Sequence, residues 1–173
     1  HLRHLQDDVD NLLNLKQGKS PFEALLKLDE DLRARGITET VPSLKTFVTE
    51  LQHRIAWDEK ESKTLYYSLK DIQLFIAGLS MSRLHILQGI SGTGKTSLPI
   101  AFARAVGGGC EIISVQAGWR DKGDLIGHFN AFEKKFYEQA TLQALYKAQC
   151  PTYADRPYII VLDEMNISRP EQY

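Results

Sequence analysis

One stretch constrains this chain more than any other: Leu84-His85-Ile86-Leu87-Gln88-Gly89-Ile90-Ser91-Gly92-Thr93-Gly94-Lys95-Thr96-Ser97-Leu98-Pro99. An apolar, strand-like run leads into Gly-x-x-x-x-Gly-Lys-Thr, and the turn opens into a helical pattern carried by Leu98, Ala101, Phe102 and Ala105. This is the pattern of a loop that cradles phosphate. Gly89, Gly92 and Gly94 permit positive-φ or crowded backbone, so that successive N–H groups can point inward at a polyphosphate. The nucleotide-binding set expected here is Gly89, Ile90, Ser91, Gly92, Thr93, Gly94, Lys95, Thr96 and Ser97, with the dipole of the following helix behind it. Lys95 is expected to meet the β- and γ-phosphates as a point charge. The Thr96 hydroxyl is expected to ligate the Mg²⁺ that bridges them. The four fixed positions coincide by chance in roughly one chain of this length per hundred. A merely flexible turn would not need a strand before it and a helix after it.

Such a loop needs an acid at the end of a second buried strand. Tyr158-Ile159-Ile160-Val161-Leu162 is a continuous apolar, β-branched run, preceded by Asp155-Arg156-Pro157 and followed by Asp163-Glu164. Either acid alone reads as a solvated strand end. With the loop, Asp163 becomes a candidate for holding Mg²⁺ through water, and Glu164 for polarising the water that attacks the γ-phosphate. The catalytic candidates are thus Glu164 and Lys95, and the metal candidates Thr96 and Asp163.

Composition excludes several other classes. A 173-residue chain with 43% hydrophobic and 25% charged residues is ordinary for a globular protein, long enough for one domain or one and a half. Its net charge of −1 leaves no electrostatic footprint for nucleic acid or an anionic membrane. No apolar run approaches the ~20 residues of a membrane span, and no signal peptide is evident. Cys110 and Cys150 have no metal-ligand spacing and read as free thiols in a reducing cytoplasm. The absence of an initiator Met and the end at Tyr173, soon after the second motif, read as a fragment.

Before the loop the chain is expected to be all-helical. Leu2, Leu5, Val9 and Leu12, with Leu13 and Leu15, give an amphipathic helix broken by Gly18-Lys19-Ser20-Pro21. Ser20, Pro21 and Glu23 look like the N-cap, first position and capping-box acid of a second helix running to about Arg35 and stopping at Gly36. Leu44, Phe47, Val48, Leu51 and Ile55 share the face of a third. The charge run Asp58 to Lys63 is read as a linker, so residues 1–63 form one region and 64–173 another. The first holds ten Lys or Arg and twelve Asp or Glu, and so is no basic arm. Leu65, Leu69, Ile72, Ile76 and Leu79 mark a helix restarted by Ser68 with Asp71. After the loop helix, Gly107 to Gly109 turns the chain into a strand over Cys110 to Gln116. A polar loop at 119–123 and a short helical turn at 124–127 come next, then helix from about Phe136 to Cys150. Strand, helix, strand, helix, strand in this order requires parallel crossovers. The expected fold is therefore an α/β sandwich, a parallel sheet between helices with the ligand at the carboxyl ends of the strands.

With both motifs placed, the chain resembles the AAA+ ATPases, the P-loop NTPase branch of McrB-type restriction motors, MoxR-type chaperones and the midasin and dynein rings. The resemblance rests on residues 89–96, on the Gln116 to Gly127 stretch ending Asp-Leu-Ile-Gly, and on Leu162-Asp163-Glu164-Met165-Asn166-Ile167-Ser168. It covers roughly Tyr66 to Tyr173. It implies ATP or GTP with Mg²⁺, a homo-oligomeric, hexamer-like ring and a protein or nucleic-acid substrate; no membrane and a cytoplasmic location are the expectations from the apolar runs and the cysteines. It puts Gln116 where relatives carry a polar residue that restrains the catalytic Glu until the γ-phosphate is sensed; a plain polar strand end is the equal alternative. It also puts 128–137 where this branch inserts a hairpin, although Phe129, Phe132 and Phe136 read more simply as core. Relatives continue past the acid-bearing strand with a sensor strand, an arginine finger and a lid, so the core is expected to be truncated there. By itself the chain is expected to bind nucleotide weakly and not to hydrolyse it, with its sheet edge open to self-association. Asn166 and Arg169 lie on the wrong motif to replace those parts.

Two functions remain open. One is the nucleotide-binding part of a ring-forming NTPase that remodels a protein or moves nucleic acid. The other is a nucleotide-gated interaction module, with slow or no hydrolysis, whose N-terminal helices dock a partner. A small-molecule kinase would need an acceptor pocket and lid arginines that nothing here announces.

Overall fold

A computed structural model of the chain describes residues 20–31, 40, 42–57 and 64–173. The helix expected on Leu2 to Leu15, its break at Gly18, the stop at Gly36 and the linker at 58–63 lie outside these residues. Among the described residues four helices come first: α1 (Glu23–Asp31), α2 (Leu44–Ala56), α3 (Leu69–Met81) and α4 (Ser97–Ala105). Strand β1 (Gly109–Ser114), helix α5 (Lys122–Ile126) and strands β2 (Gly127–Asn130) and β3 (Lys135–Glu138) follow. Helix α6 (Ala140–Lys147), strand β4 (Tyr158–Asp163) and two single 3₁₀ turns, Met165–Ile167 and Pro170–Gln172, complete the order. The architecture is mixed α/β, with a small parallel sheet and helices packed around it.

The helical apolar faces read from the sequence become the core. Val48, Leu51 and Ile55 of α2 meet Ile72 and Phe75 of α3 and Leu98, Ala101 and Phe102 of α4 in one buried cluster. The Phe75 and Phe102 rings meet edge to face at 5.3 Å, the arrangement their quadrupoles favour. Helix α3 opens as its sequence indicates. Ser68 Oγ accepts the Asp71 N–H at 3.1 Å, and the Asp71 carboxylate accepts the Ser68 N–H at 3.2 Å.

Helix α1 departs from its expected cap. Ser20 Oγ takes the Phe22 N–H at 3.3 Å and the helix starts only at Glu23, because a serine two residues ahead of a free N–H closes a local turn as readily as it caps. Pro21 is left outside the helix, and its carbonyl accepts the Phe136 N–H at 2.9 Å. Phe22 packs on Phe136 at 5.1 Å, Glu23 pairs with Lys135 at 2.8 Å, and the Tyr146 hydroxyl reaches the Asp29 carboxylate at 2.8 Å. Helix α1 therefore rests on the β2–β3 hairpin and α6, while α2 rests on α3 and α4.

Strands β1 and β4 pair in parallel, with Gly109 opposite Tyr158 and Ser114 opposite Asp163, which is the relation the crossover order requires. The strand expected over 84–88 does not form. Its period of two survives: His85 stacks on Phe75 at 5.6 Å and Leu87 packs on the core, while Leu84 and Ile86 are 77% and 67% exposed. Apolar packing sets that alternation locally, but a strand also needs a neighbour for its backbone groups. Among the described residues β4 is bonded to β1 alone, and the 84–88 run lies in no sheet.

The helix expected from Phe136 begins four residues later, at Ala140. Lys135–Glu138 instead pairs antiparallel with Gly127–Asn130, Phe129 opposite Phe136 and His128 opposite Tyr137. The Asn130 side chain accepts the N–H groups of Phe132 and Glu133, and Lys134 takes a positive φ of 51°; a turn of that kind reverses the chain before helix can start. The core role expected of the three phenylalanines holds only in part. Phe136 is half-buried against Phe22, but Phe132 at the tip is fully exposed and Phe129 is 56% exposed.

Candidate functional site

The site forms where the turn 89–96 meets the carboxyl end of β4. Gly92 has φ +80° and Gly94 φ +84°, values that an L side chain adopts only with strain. A Cβ at Gly92 would meet nothing within 4 Å, so there the backbone alone demands glycine. At Gly94 a Cβ would also lie 2.6 Å from the Tyr67 hydroxyl oxygen. Inside the turn, Thr93 Oγ1 donates to the Ile90 carbonyl at 2.8 Å and Lys95 Nζ donates to the same oxygen at 2.5 Å. The lysine is thus folded across the turn it belongs to. Ser97 begins α4, and Thr96, just before it, already has helical backbone angles.

The two sequence motifs come together. Thr96 Oγ1 donates to Asp163 Oδ1 at 3.2 Å across 67 positions of chain, which brings the start of α4 to the end of β4. Asp163 Oδ1 also accepts the Glu164 N–H at 3.1 Å. The paired hydroxyl and carboxylate are hard oxygen donors. They fit Mg²⁺, which ordinarily takes one or two carboxylates and completes its octahedron with water and phosphate oxygens. Among the described residues no group of three or more His, Cys, Asp and Glu side chains converges on a metal-sized site, so a dedicated all-protein cage is not what these residues build.

Glu164 is exposed and held in the left-handed region, φ 54° and ψ 36°. The turn that follows it is anchored elsewhere. Ser168 Oγ donates to the Trp119 carbonyl at 2.7 Å, Trp119 and Tyr173 meet edge to face at 5.2 Å, and the Tyr173 hydroxyl donates to the Met165 carbonyl at 3.1 Å. Gln116 lies two residues past Ser114, which is opposite Asp163 in the ladder. Its side chain is exposed, and its carbonyl accepts the Trp119 N–H at 3.0 Å. The Gln116–Trp119 turn and the Glu164–Ser168 turn therefore form one rim beside Thr96 and Asp163. No family model, curated protein or solved structure matches this chain.

Tyr67 and Tyr173 contribute to this site without a place in the motifs, and Trp119 and Ser168 lie inside the quoted stretches without an expected role. Three of them act on backbone carbonyls, whose positions leave no mark in the residue pattern. The largest displacement of an ionisation lies at the far end of the sheet, where burial and the neighbouring Glu111 push the Tyr158 hydroxyl up to about 12. Both cysteines carry free thiols, raised above their usual range mainly by burial. No helix among the described residues is long and apolar enough to cross a membrane.

Proposed function

We propose that the chain is the nucleotide-binding part of a ring-forming AAA+ NTPase of the P-loop class, which hydrolyses ATP or GTP with Mg²⁺ to remodel a protein or move nucleic acid. The observation that carries this reading is the 3.2 Å contact between Thr96 Oγ1 and Asp163 Oδ1, since a loop hydroxyl beside a strand-end carboxylate is the pair that Mg²⁺–nucleotide chemistry requires.

Each residue then has a task. The N–H groups of the turn 89–96 and of Ser97 bind the phosphates, and the α4 dipole reinforces them. Lys95 Nζ exchanges the Ile90 carbonyl for β- and γ-phosphate oxygens, a charge-assisted contact stronger than the one it leaves. Thr96 and Asp163 would hold Mg²⁺, which would supply neutralisation of phosphate charge. Glu164, exposed at the mouth, accepts a proton from the attacking water and orients it. Gln116, two residues past the neighbouring strand, restrains Glu164 in this scheme. The 128–137 hairpin with its exposed Phe132 belongs to the ring assembly.

Glu164→Gln tests the chemistry, because the amide is nearly isosteric yet a poor proton acceptor. In the assembled protein it is expected to keep Mg²⁺–nucleotide binding and to lose phosphate release, whereas Asp163→Asn is expected to weaken the Mg²⁺ dependence. Phosphate release at the parental rate in Glu164→Gln would remove Glu164 from the mechanism. A second reading, a nucleotide-gated interaction module, is favoured by the hydrogen bond from Gln52 on α2 to Tyr67, which in turn touches the loop. Tight nucleotide binding by a parent protein that releases no phosphate would select it.

A further inference from the structure

The residues ahead of α3 have no part in the scheme above, yet one of them touches the loop. The Tyr67 hydroxyl donates to the Gly94 carbonyl at 2.8 Å, and its ring fills the space that a Cβ at Gly94 would need. The same carbonyl accepts the Leu98 N–H at 2.9 Å. Two donors therefore fix one oxygen. In a trans peptide the carbonyl and the next N–H point in opposite directions, and no peptide among the described residues is cis. Holding Gly94 O against Tyr67 and the first turn of α4 consequently turns the Lys95 N–H the other way, away from Tyr67 and α4. Tyr67 is itself held: its carbonyl accepts Gln52 Nε2 at 2.8 Å, and its side chain packs on the α2–α3–α4 core.

We infer that Tyr67 is a positioning residue, which aims the Lys95 N–H at a phosphate oxygen and, through Gln52, ties helix α2 to occupancy of the loop. This rests on the reading of residues 89–96 as a polyphosphate cradle. The coupling is reciprocal by linkage: whatever stabilises α2 in this packing favours the phosphate-binding form of the turn, and phosphate binding stabilises α2. A partner docking on α2 would thereby sense the nucleotide.

Tyr67→Phe keeps the ring on Gly94 and removes only the donor. Calorimetry with inorganic pyrophosphate and with Mg²⁺–ADP should show affinity reduced about threefold to tenfold, the range for a lost neutral hydrogen bond. The Lys95 amide resonance should move less on addition of pyrophosphate than in the parent, a response that a purely packing role would leave intact. If Lys95→Ala loses pyrophosphate while Tyr67→Phe binds it like the parent with an unchanged Lys95 amide shift, Tyr67 is packing only and the inference falls. If Lys95→Ala and the parent bind pyrophosphate equally, the cradle reading fails and takes this inference with it. Gln52→Ala supplies a second arm should Tyr67→Phe not fold. Pyrophosphate should slow amide exchange in α2 of the parent and not in that variant, and equal slowing in both would overturn the link to α2.

Discussion

Glu164 occupies a conformation its residue type does not favour. A left-handed φ of 54° costs an L side chain about 1–2 kcal/mol, and strain of this kind persists where the surrounding contacts over-determine it. Here Asp163 Oδ1 holds its N–H, and the Ser168 to Trp119 bond holds the far end of its turn. Glu164→Gly should therefore leave stability in urea unchanged or raise it by up to about 1 kcal/mol, while phosphate release by the assembled protein is expected to be lost. A clear loss of stability would show that the carboxylate is structural. The meeting of Thr96 with Asp163 was legible in the sequence because the chemistry expected of them ties residue type to spacing. The parts played by Tyr67, Ser168 and Tyr173 were not, since each acts on a carbonyl that any residue could supply.

At the scale of elements, periodicity identified whatever depends on a single face. Helix α2 buries Val48, Leu51 and Ile55 and α3 buries Ile72 as the pattern marks, although Leu44 and Leu69 at their first positions stay exposed; the Tyr158–Asp163 strand spans its marked run, and the Ser68–Asp71 box opens α3 as read. The failures share a cause, for pairing partners are not local. The 84–88 run keeps its alternation but has no ladder among the described residues, and Phe136 was assigned to a helix because the hairpin depends on a strand eight residues earlier. Leu84 and Ile86 stand out into solvent on an apolar run that lies in no sheet, a combination that invites edge-to-edge pairing. Sedimentation should show concentration-dependent association, reduced in Leu84→Thr/Ile86→Thr with stability changed by no more than about 0.5 kcal/mol. Association undiminished in that variant would place the contact elsewhere.

Across the whole molecule, the helices preceding the loop are built into the structure that carries it. Helix α2 shares the core of α3 and α4, and α1 lies against the β2–β3 hairpin and α6. The sequence announced helices there but not their docking, because an amphipathic face states that it will be buried and not against what. The loop, the strand-end acids and the described helices that precede them thus form one connected body, so that the nucleotide proposed for residues 89–96 would bear on everything packed against α4. That claim depends first on whether nucleotide binds there. The most direct measurement is calorimetric titration of the protein and of Lys95→Ala with Mg²⁺–ATP and Mg²⁺–GTP. Removing a charge-assisted contact worth about 1.5–3 kcal/mol should lower the affinity for the preferred nucleotide roughly tenfold to a hundredfold; equal affinity in the variant and the parent would contradict the account.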